Sequence, residues 1–429
     1  MNEEEFDLPE YNSPRISSEV LDCSLPLTFD QYSVCGFACK YCFSQYIKGR
    51  GSGQSDYDNK VIKAVRPEKI RKIFSGEIKK SYSNFIKNRM PIQWGGLTDP
   101  FCPYEKGFQI GLEILKILNE HNYPCSFSSK GDLILTDERY LNEFKKAGSN
   151  WHYKASIITN DEAKAKIIEE HVPSPARRFE VLKKLSKLGV KTTLRLRPFI
   201  IGLTDKTLDD LIKNAKKAGC QSVSAEFFCL DLRGLGRKGT RESYRIMSEV
   251  LGFDLVEFYK KFNGGRTGYI RLDPKFKRHY AKMLIDTCKK YDIKLCFSDA
   301  DFKNFCASGS CCGILDENKG LNNYAKFQFT ELIRIAKKKG FITFEDALNC
   351  NEHIDWRKEV RIEEFMNLVD VQGRARHGNM TYYDFFLKSW NDIKAGISPF
   401  KAYGGVLVPK QRDKNGNWIY YYNYEKDKL

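Results

Sequence analysis

The chain has 429 residues, 41% of them hydrophobic, and 71 lysines and arginines against 55 aspartates and glutamates give it a formal net charge of +16. That length supports one large core with an appendage, or two to three domains. No apolar run approaches the ~20 residues of a membrane helix, and the opening MNEEEFDLPEYNSPRISSE is acidic where a secretory leader is basic and then apolar, so a cytoplasmic protein without a membrane partner is expected.

Residues 1–24 read as an N-terminal extension, followed by SVCGFACKYCFSQ at 33–45, where Cys35, Cys39 and Cys42 fall within eight residues. From about residue 60 to 300, amphipathic helices alternate with short apolar strands. The expected series is helix 67–86, strand 91–96, helix 105–122, strand 124–130, helix 137–147 and strand 151–158. It continues with helix 175–188, strand 191–199, helix 205–218, strand 221–228, helix 274–290 and strand 293–299. Such alternation predicts an α/β fold, a parallel sheet covered by helices and either open or curled into a barrel. After Cys312 the character changes. Residues 329–348 read as two short helices around a glycine turn, and 404–424 as a hairpin with Asn415-Gly416 at its tip. The expected domains are therefore an extension (1–24), an α/β unit (25–312) and a smaller α+β domain (313–429). The helix pair and hairpin of the last suit a winged-helix-like module or a plain packing subdomain.

Fourteen cysteines in a reducing compartment are a poor disulfide framework, so clustered ones point first to metal or redox chemistry. Scattered ones such as Cys23, Cys125, Cys220, Cys288 and Cys350 read as core filler. Three thiolates on a cube of four irons leave one iron without a protein ligand, as a catalytic metal site keeps a position open. Zinc is the competing occupant, but a structural zinc needs a fourth ligand; His121 is far off in sequence and Cys23 is poorly spaced.

The spacing Cys-x3-Cys-x2-Cys, with Tyr41 just before the last cysteine, resembles the signature of the radical S-adenosylmethionine (SAM) superfamily. The resemblance implies a partial (β/α)6 TIM-type barrel with a smaller C-terminal α+β domain. It also implies a [4Fe-4S] cluster on Cys35, Cys39 and Cys42, SAM at the open iron, and an electron donor such as flavodoxin or ferredoxin. In that family one electron cleaves SAM to methionine and a 5′-deoxyadenosyl radical, which abstracts hydrogen from the substrate.

Other positions match the family's motifs. In WGGLTDP (94–100), Gly95, Gly96 and Thr98 fall where a glycine-rich segment meets the SAM amino group. In SSKGD (128–132), Ser129 and Lys130 follow the third strand, and Tyr41 joins the same cofactor set. In EEHVPSPARRFEVL (169–182), Glu170 and Arg178 stand where family members contact the ribose and the methionine carboxylate. In LRLRPFIIGLTD (194–205), Ile200, Gly202 and Asp205 match the strand-five motif, with Pro198 replacing its first glycine. Arg195 or Arg197 suits the SAM carboxylate, since guanidinium matches carboxylate bidentately, and strand alternation puts both on one face.

Taken together, the LTDPF, PSPARRFEVLKKL and PFIIGLTD segments look like the spore photoproduct lyase and DNA-repair-photolyase-like branch, over roughly residues 20 to 310. That likeness implies a lyase or base-modifying enzyme acting on nucleic acid, DNA ahead of RNA. Two basic segments fit a polyanion. DLRGLGRKGTRESYR (231–245) carries Arg233, Arg237, Lys238 and Arg241, and GGRTGYIRLDPKFKRHYAK (264–282) adds Tyr269 and Arg271, suited to phosphate contacts and base stacking; a solvated loop is the plainer alternative.

A lyase that returns hydrogen to its product radical benefits from a nearby thiol, and Cys102 and Cys229 are the strand-end candidates, each also readable as packing. Cys296, Cys306, Cys311 and Cys312 suggest a second, auxiliary iron–sulfur cluster. Zinc and structural thiols are the alternatives, and adjacent Cys311 and Cys312 make an awkward pair on one metal. The expected function is radical SAM chemistry on a nucleic acid or nucleotide, in DNA repair or base modification. The alternatives are modification of a peptide, RNA or small metabolite, and a non-catalytic, zinc-stabilised nucleic-acid-binding protein.

Overall fold

Alternation along each strand builds a sheet with two unlike faces, one apolar and one polar. The computed structural model describes residues 8–16, 23–44, 54–80, 82–264, 269–322, 329–349, 381–394 and 398–428; Cys350 lies outside them. The strands of the N-terminal part are β1 (Arg15–Ile16), β2 (Leu27–Phe29), β3 (Ile92–Trp94), β4 (Cys125–Ser129), β5 (Trp151–Ser156), β6 (Lys191–Phe199), β7 (Ser222–Phe227), β8 (Leu230–Asp231), β9 (Tyr269–Ile270) and β10 (Lys294–Phe297). One sheet runs in the order β1-β2-β3-β4-β5-β6-β7-β10. Every neighbour pair from β2 to β10 is parallel, and β1 caps the edge antiparallel. This is the partial barrel of the expected α/β class.

The outer face is apolar. Trp94, Phe127, Trp151, Tyr153, Leu194 and Val223 are fully buried beneath the surrounding helices, in a core that extends without a break into the C-terminal elements. Two expected helices are divided. The 67–86 stretch forms Pro67–Phe74 and Ser83–Lys87. The 105–122 stretch forms Pro103–Phe108 and Ile110–Glu120, because the buried Glu105 carboxylate turns back to accept from the N–H groups of Gly111 and Leu112, both at 3.0 Å, and caps the second helix. The helices Glu162–Ile168, Lys238–Leu251 and Leu255–Phe262 were not foreseen.

Beyond residue 313, helices Phe329–Lys339, Phe344–Asn349 and Tyr382–Asn391 pack on a small antiparallel sheet of β11 (Phe341–Ile342), β12 (Leu407–Arg412) and β13 (Trp418–Tyr422), in the order β11-β13-β12. The β12–β13 turn holds Gly416 at φ 81°. Among the described residues no helix is long and apolar enough to cross a membrane.

Candidate active site

The inner face of the barrel is polar on strand after strand. Its floor is a hydrogen-bond chain from Ser126 Oγ to His152 Nδ1 (2.8 Å), His152 Nε2 to Thr193 Oγ1 (2.7 Å), and Thr193 Oγ1 to Ser222 Oγ (2.7 Å). Burial, with Lys154 adding to it, holds the His152 imidazole well below its ordinary range, so it is neutral. Lys154 is 1% exposed and donates to Gln93 Oε1, which has no charge to offer. Burial is the main reason its ammonium is pushed down to about 8. Arg195 bonds only Ser156 Oγ (3.4 Å) and the Arg197 carbonyl (3.2 Å) and has no carboxylate partner among the described residues. Burial and the neighbouring Arg197 push it down to about 10. Arg197 is paired with Glu226 at 2.6 Å. Three cations thus face one carboxylate, and uncompensated buried cations are costly unless an anion joins them.

The cysteine loop sits at the C-terminal end of β2. Lys40 N–H donates to the Ile168 carbonyl at 2.9 Å, tying the loop to the end of helix Glu162–Ile168. Tyr41 is buried and its hydroxyl donates to Glu169, which pairs with Arg178 at 2.6 Å; Arg178 also donates to the Ser156 carbonyl at 2.6 Å. Lys130 Nζ stands 5.6 Å from the centre of the Tyr41 ring. Burial alone would push the Lys130 ammonium down, but Cys39, Glu169, Asp99 and Cys42 more than reverse it. The fold therefore brings Cys35, Cys39, Cys42, Tyr41, Lys130 and Arg178 to one strand-end region, with Arg195 within electrostatic reach of Tyr41.

Two buried acids that sequence reasoning passed over hold the glycine segment in place. Asp30 accepts from the N–H groups of Leu97 and Thr98, both at 2.8 Å, and Asp99 accepts from Ser129 Oγ and Lys130 N–H, both at 2.7 Å. A buried aspartate beside a turn carries no distinguishing local pattern, although the short polar side chain is the usual loop anchor. Gly95 has φ 91°, and an added Cβ would stand 2.3 Å from the Ser128 carbonyl oxygen, so the neighbouring strand demands glycine there. At Gly96 an added Cβ would stand in ordinary contact with Arg15, Thr28 and Asp30, at 3.6 to 3.8 Å, so sterics there do not demand glycine.

Several expected site residues stand elsewhere. The Glu170 side chain is 55% exposed and pairs with Lys40 at 3.2 Å on the surface, whereas Glu169, where the chain leaves the helix, is the carboxylate that turns inward. Thr98 and Ser129 are held by Asp30 and Asp99. Ile200 and Gly202 belong to a tight turn, closed by Ile200 N–H to Thr204 Oγ1 (3.0 Å) and Gly202 N–H to Asp205 Oδ1 (2.6 Å), with Gly202 against the Phe253 ring. Cys102 is 1% exposed behind the cysteine loop, beside Cys35, and Cys229 lies just past β7 with its sulfur 3.5 Å from the Phe227 carbonyl.

The second cysteine group is divided. Cys306 Sγ is engaged by the backbone N–H (3.0 Å) and carbonyl (3.3 Å) of Phe297, Cys296 stands 3.6 Å from Ser308 Oγ, and Cys311 and Cys312 enter the barrel. Among the described residues no three or more histidine, cysteine, aspartate or glutamate side chains are arranged to hold a metal ion. Of the four cysteines expected to hold an auxiliary cluster or zinc, Cys306 is engaged by the Phe297 backbone, and Cys311 and Cys312 lie on the loop that enters the barrel. Cys35, Cys39 and Cys42 are half-buried, and this all-thiol donor set fits a four-iron cube, which takes each thiolate at a different iron.

The basic segments meet through β8 and β9, which pair Leu230 with Ile270 and Asp231 with Tyr269. Arg233 bonds Asp231 at 2.8 Å, Arg241 donates to the Leu235 carbonyl at 2.7 Å, Lys238 is exposed at the start of its helix, and Arg271 helps hold the Glu226 carboxyl down. Residues 265–268 and the Tyr269 side chain lie outside the described residues.

Residues 32–215 match the family model described as Radical SAM superfamily. The cofactors of that superfamily are a [4Fe-4S] cluster and SAM. Among curated proteins, the chain is 29% identical over 181 residues to the uncharacterized protein MJ0683 of Methanocaldococcus jannaschii, a match covering 41% of this chain and 61% of that protein. It is 24% identical over 216 residues to the uncharacterized protein Rv2578c of Mycobacterium tuberculosis, covering 49% and 60%. Each match thus spans about three fifths of the relative's length. Among solved structures, a spore photoproduct lyase complexed with dinucleoside spore photoproduct aligns with TM-score 0.49 at 13% identity, over 68% of this chain and 80% of that one. Streptococcus suis SuiB aligns with TM-score 0.41 at 13% identity, over 64% and 49%.

Proposed function

We propose that this radical SAM protein acts on a nucleic acid or nucleotide, DNA ahead of RNA, by repair or base modification. Cys35, Cys39 and Cys42 would hold the cluster. The Gly95-Gly96 segment and Arg195 would take the amino and carboxylate groups of SAM. Arg178 is committed to Glu169 and the Ser156 carbonyl, so its part is to fix Tyr41 and the cysteine loop through Glu169. When bound, the cluster and SAM supply the 5′-deoxyadenosyl radical. The protein's residues orient the ligand and keep water from it. An electron carrier such as flavodoxin or ferredoxin would supply the reducing electron, and a cytoplasmic setting suits that need.

The observation offered for the substrate class is the β8–β9 pairing, which joins the two basic segments at residues just before Arg233 and Arg271, with Arg237, Lys238 and Arg241 following Arg233 in the chain. The test is 5′-deoxyadenosine release by reconstituted, reduced protein with no addition, with ultraviolet-damaged DNA, with undamaged or base-modified DNA, and with nucleotides, RNA or peptides. Stimulation by one DNA class supports the reading. Release indifferent to DNA and raised by a peptide or metabolite overturns the substrate class and leaves the chemistry. In the same series Cys35→Ala, Cys39→Ala and Cys42→Ala should each lose the absorbance near 400 nm.

A further inference from the structure

One outer face of the barrel carries more positive charge than its neighbouring acids neutralise. Helix Pro274–Lys290 starts three residues past Arg271 and leads from the β8–β9 pair, at the C-terminal end of β7, to the opposite end of the sheet, where β10 begins at Lys294. Its 17 residues span about 25 Å at ~1.5 Å each. Lys277, Ala281, Leu284 and Cys288 are its buried stripe. Lys275, Arg278, Lys282, Ile285 and Lys289 follow one another at spacings of three and four, so they form a second stripe beside the first, and its four cations are exposed.

The lower half of that second stripe is one wall of a cavity of about 920 Å3. The start of β10, with Lys294, and helix Phe329–Lys339, with Arg334, Lys337 and Lys338, supply the other walls. Some of these cations are neutralised. Lys282 pairs with Asp286 (2.8 Å), Lys337 with Asp427 (2.9 Å) and Arg334 with Asp316 (2.7 Å), while Asp292, the other acid of the wall, pairs with Lys216 at 3.3 Å. Lys275, Arg278, Lys289, Lys294 and Lys338 have no ion-pair partner among the described residues. Unpaired cations from three chain segments facing one another across a concave surface focus their field, which favours a bound polyanion over a merely solvated face.

Two features choose the polyanion. The stripe continues the basic segments of the proposed substrate mouth, and its length matches about seven nucleotides at ~3.4 Å each. An acidic electron-carrying protein would instead have to approach the cysteine loop at the C-terminal end of β2, whereas the cavity lies beside the N-terminal end of β10, at the other end of a parallel sheet. Resting on the nucleic-acid reading, we propose that this stripe and the cavity below it form a track for the backbone of one DNA strand leaving the active-site mouth. Lys275 and Arg278 take the phosphates nearest the mouth, and Lys289, Lys294 and Lys338 take those in the cavity. Phosphate contacts carry no sequence information, so the track supplies position and affinity.

Fluorescence anisotropy of the full chain with labelled single strands of 4 and 20 nucleotides tests the track, since only the longer strand can occupy mouth and track together. The gain in affinity from the short to the long strand should shrink at least tenfold in the triple variant Arg278→Gln, Lys289→Gln, Lys294→Gln. Its log–log salt dependence with the long strand should be shallower by about 2, for three lost phosphate contacts at ~0.7 each. The triple variant Lys183→Gln, Lys184→Gln, Lys187→Gln makes the same charge change on the exposed face of helix Pro175–Lys187 and should match the wild type in both respects. A wild type that binds both strands alike, a gain unchanged in the first variant, or a gain lost equally in the second overturns the track and leaves the groove to an acidic protein. A wild type that binds neither strand overturns the nucleic-acid reading itself, and the track with it.

Discussion

Glu169 and Glu170 are adjacent, chemically identical and opposite in consequence. Glu169→Gln keeps the shape but removes the negative charge between Tyr41 and Arg178, whose side chains sit in the interior; those of Glu169 and Arg178 are 0% and 1% exposed. Breaking a buried pair from one side costs ~3–5 kcal/mol, and because Arg178 keeps its bond to the Ser156 carbonyl the lower end applies, about 3 kcal/mol. Glu170→Gln breaks only the surface pair with Lys40, which solvent screens. For a denaturant slope of about 3 kcal/mol/M, the urea midpoint should fall by about 1 M in the first variant and stay within about 0.3 M in the second. Because Tyr41 lies between Cys39 and Cys42, Glu169→Gln should also bind less cluster, read as a lower 400 nm absorbance per chain. Equal midpoints, or a larger loss in Glu170→Gln, would refute the inward assignment of Glu169.

The adjacent glycines should separate in the same way. Gly95→Ala meets both the positive φ and the Ser128 carbonyl and should cost about 3 kcal/mol by denaturation, while Gly96→Ala should stay within about 1 kcal/mol of wild type yet bind SAM more weakly by calorimetry. Lys154 is held at about 8 against an ordinary 10.5, so its folded state sheds a proton that the unfolded chain keeps. Stability should therefore rise between those pH values by about 3 kcal/mol more in the wild type than in Lys154→Met; parallel curves would show the ammonium to be compensated. Reversing charge at Arg237 and Lys238 should weaken DNA binding, make its log–log salt dependence shallower by about 2, and leave substrate-free SAM cleavage as it was. An unchanged slope would remove these residues from the DNA path.

The strands and longer helices could be read from the sequence because their signals are local. Period two in TTLRLR and period 3.6 in the 175–188 helix need no knowledge of what lies opposite. The cysteine triplet could be read for the same reason, since its spacing lies within eight residues. Glu169 was missed by one position because the direction of a side chain just past a helix end depends on how that end unwinds, and periodicity stops there. The break at Gln109 was invisible because the group that caps the second helix is a glutamate from the first, folded back on it. Cys311 and Cys312 were singled out by their proximity in sequence, while their surroundings are set by Ser222, Ser224 and Arg197, about ninety or more residues earlier, a relation that spacing does not encode.

Because the apolar packing lies outside the barrel and the polar side chains inside, the residues that keep this protein folded are largely different from those that would meet its substrate. Most α/β barrels fill their centre with branched apolar side chains, so a change of specificity there disturbs the core. Here Ser128 and Ser156, which form no ion pair, could be exchanged for other polar residues with little strain on the outer shell, whereas Gln93 and Glu226 are tied to Lys154 and Arg197. Such a scaffold can drift from one substrate to another by relining its interior, one residue at a time, without passing through unstable intermediates.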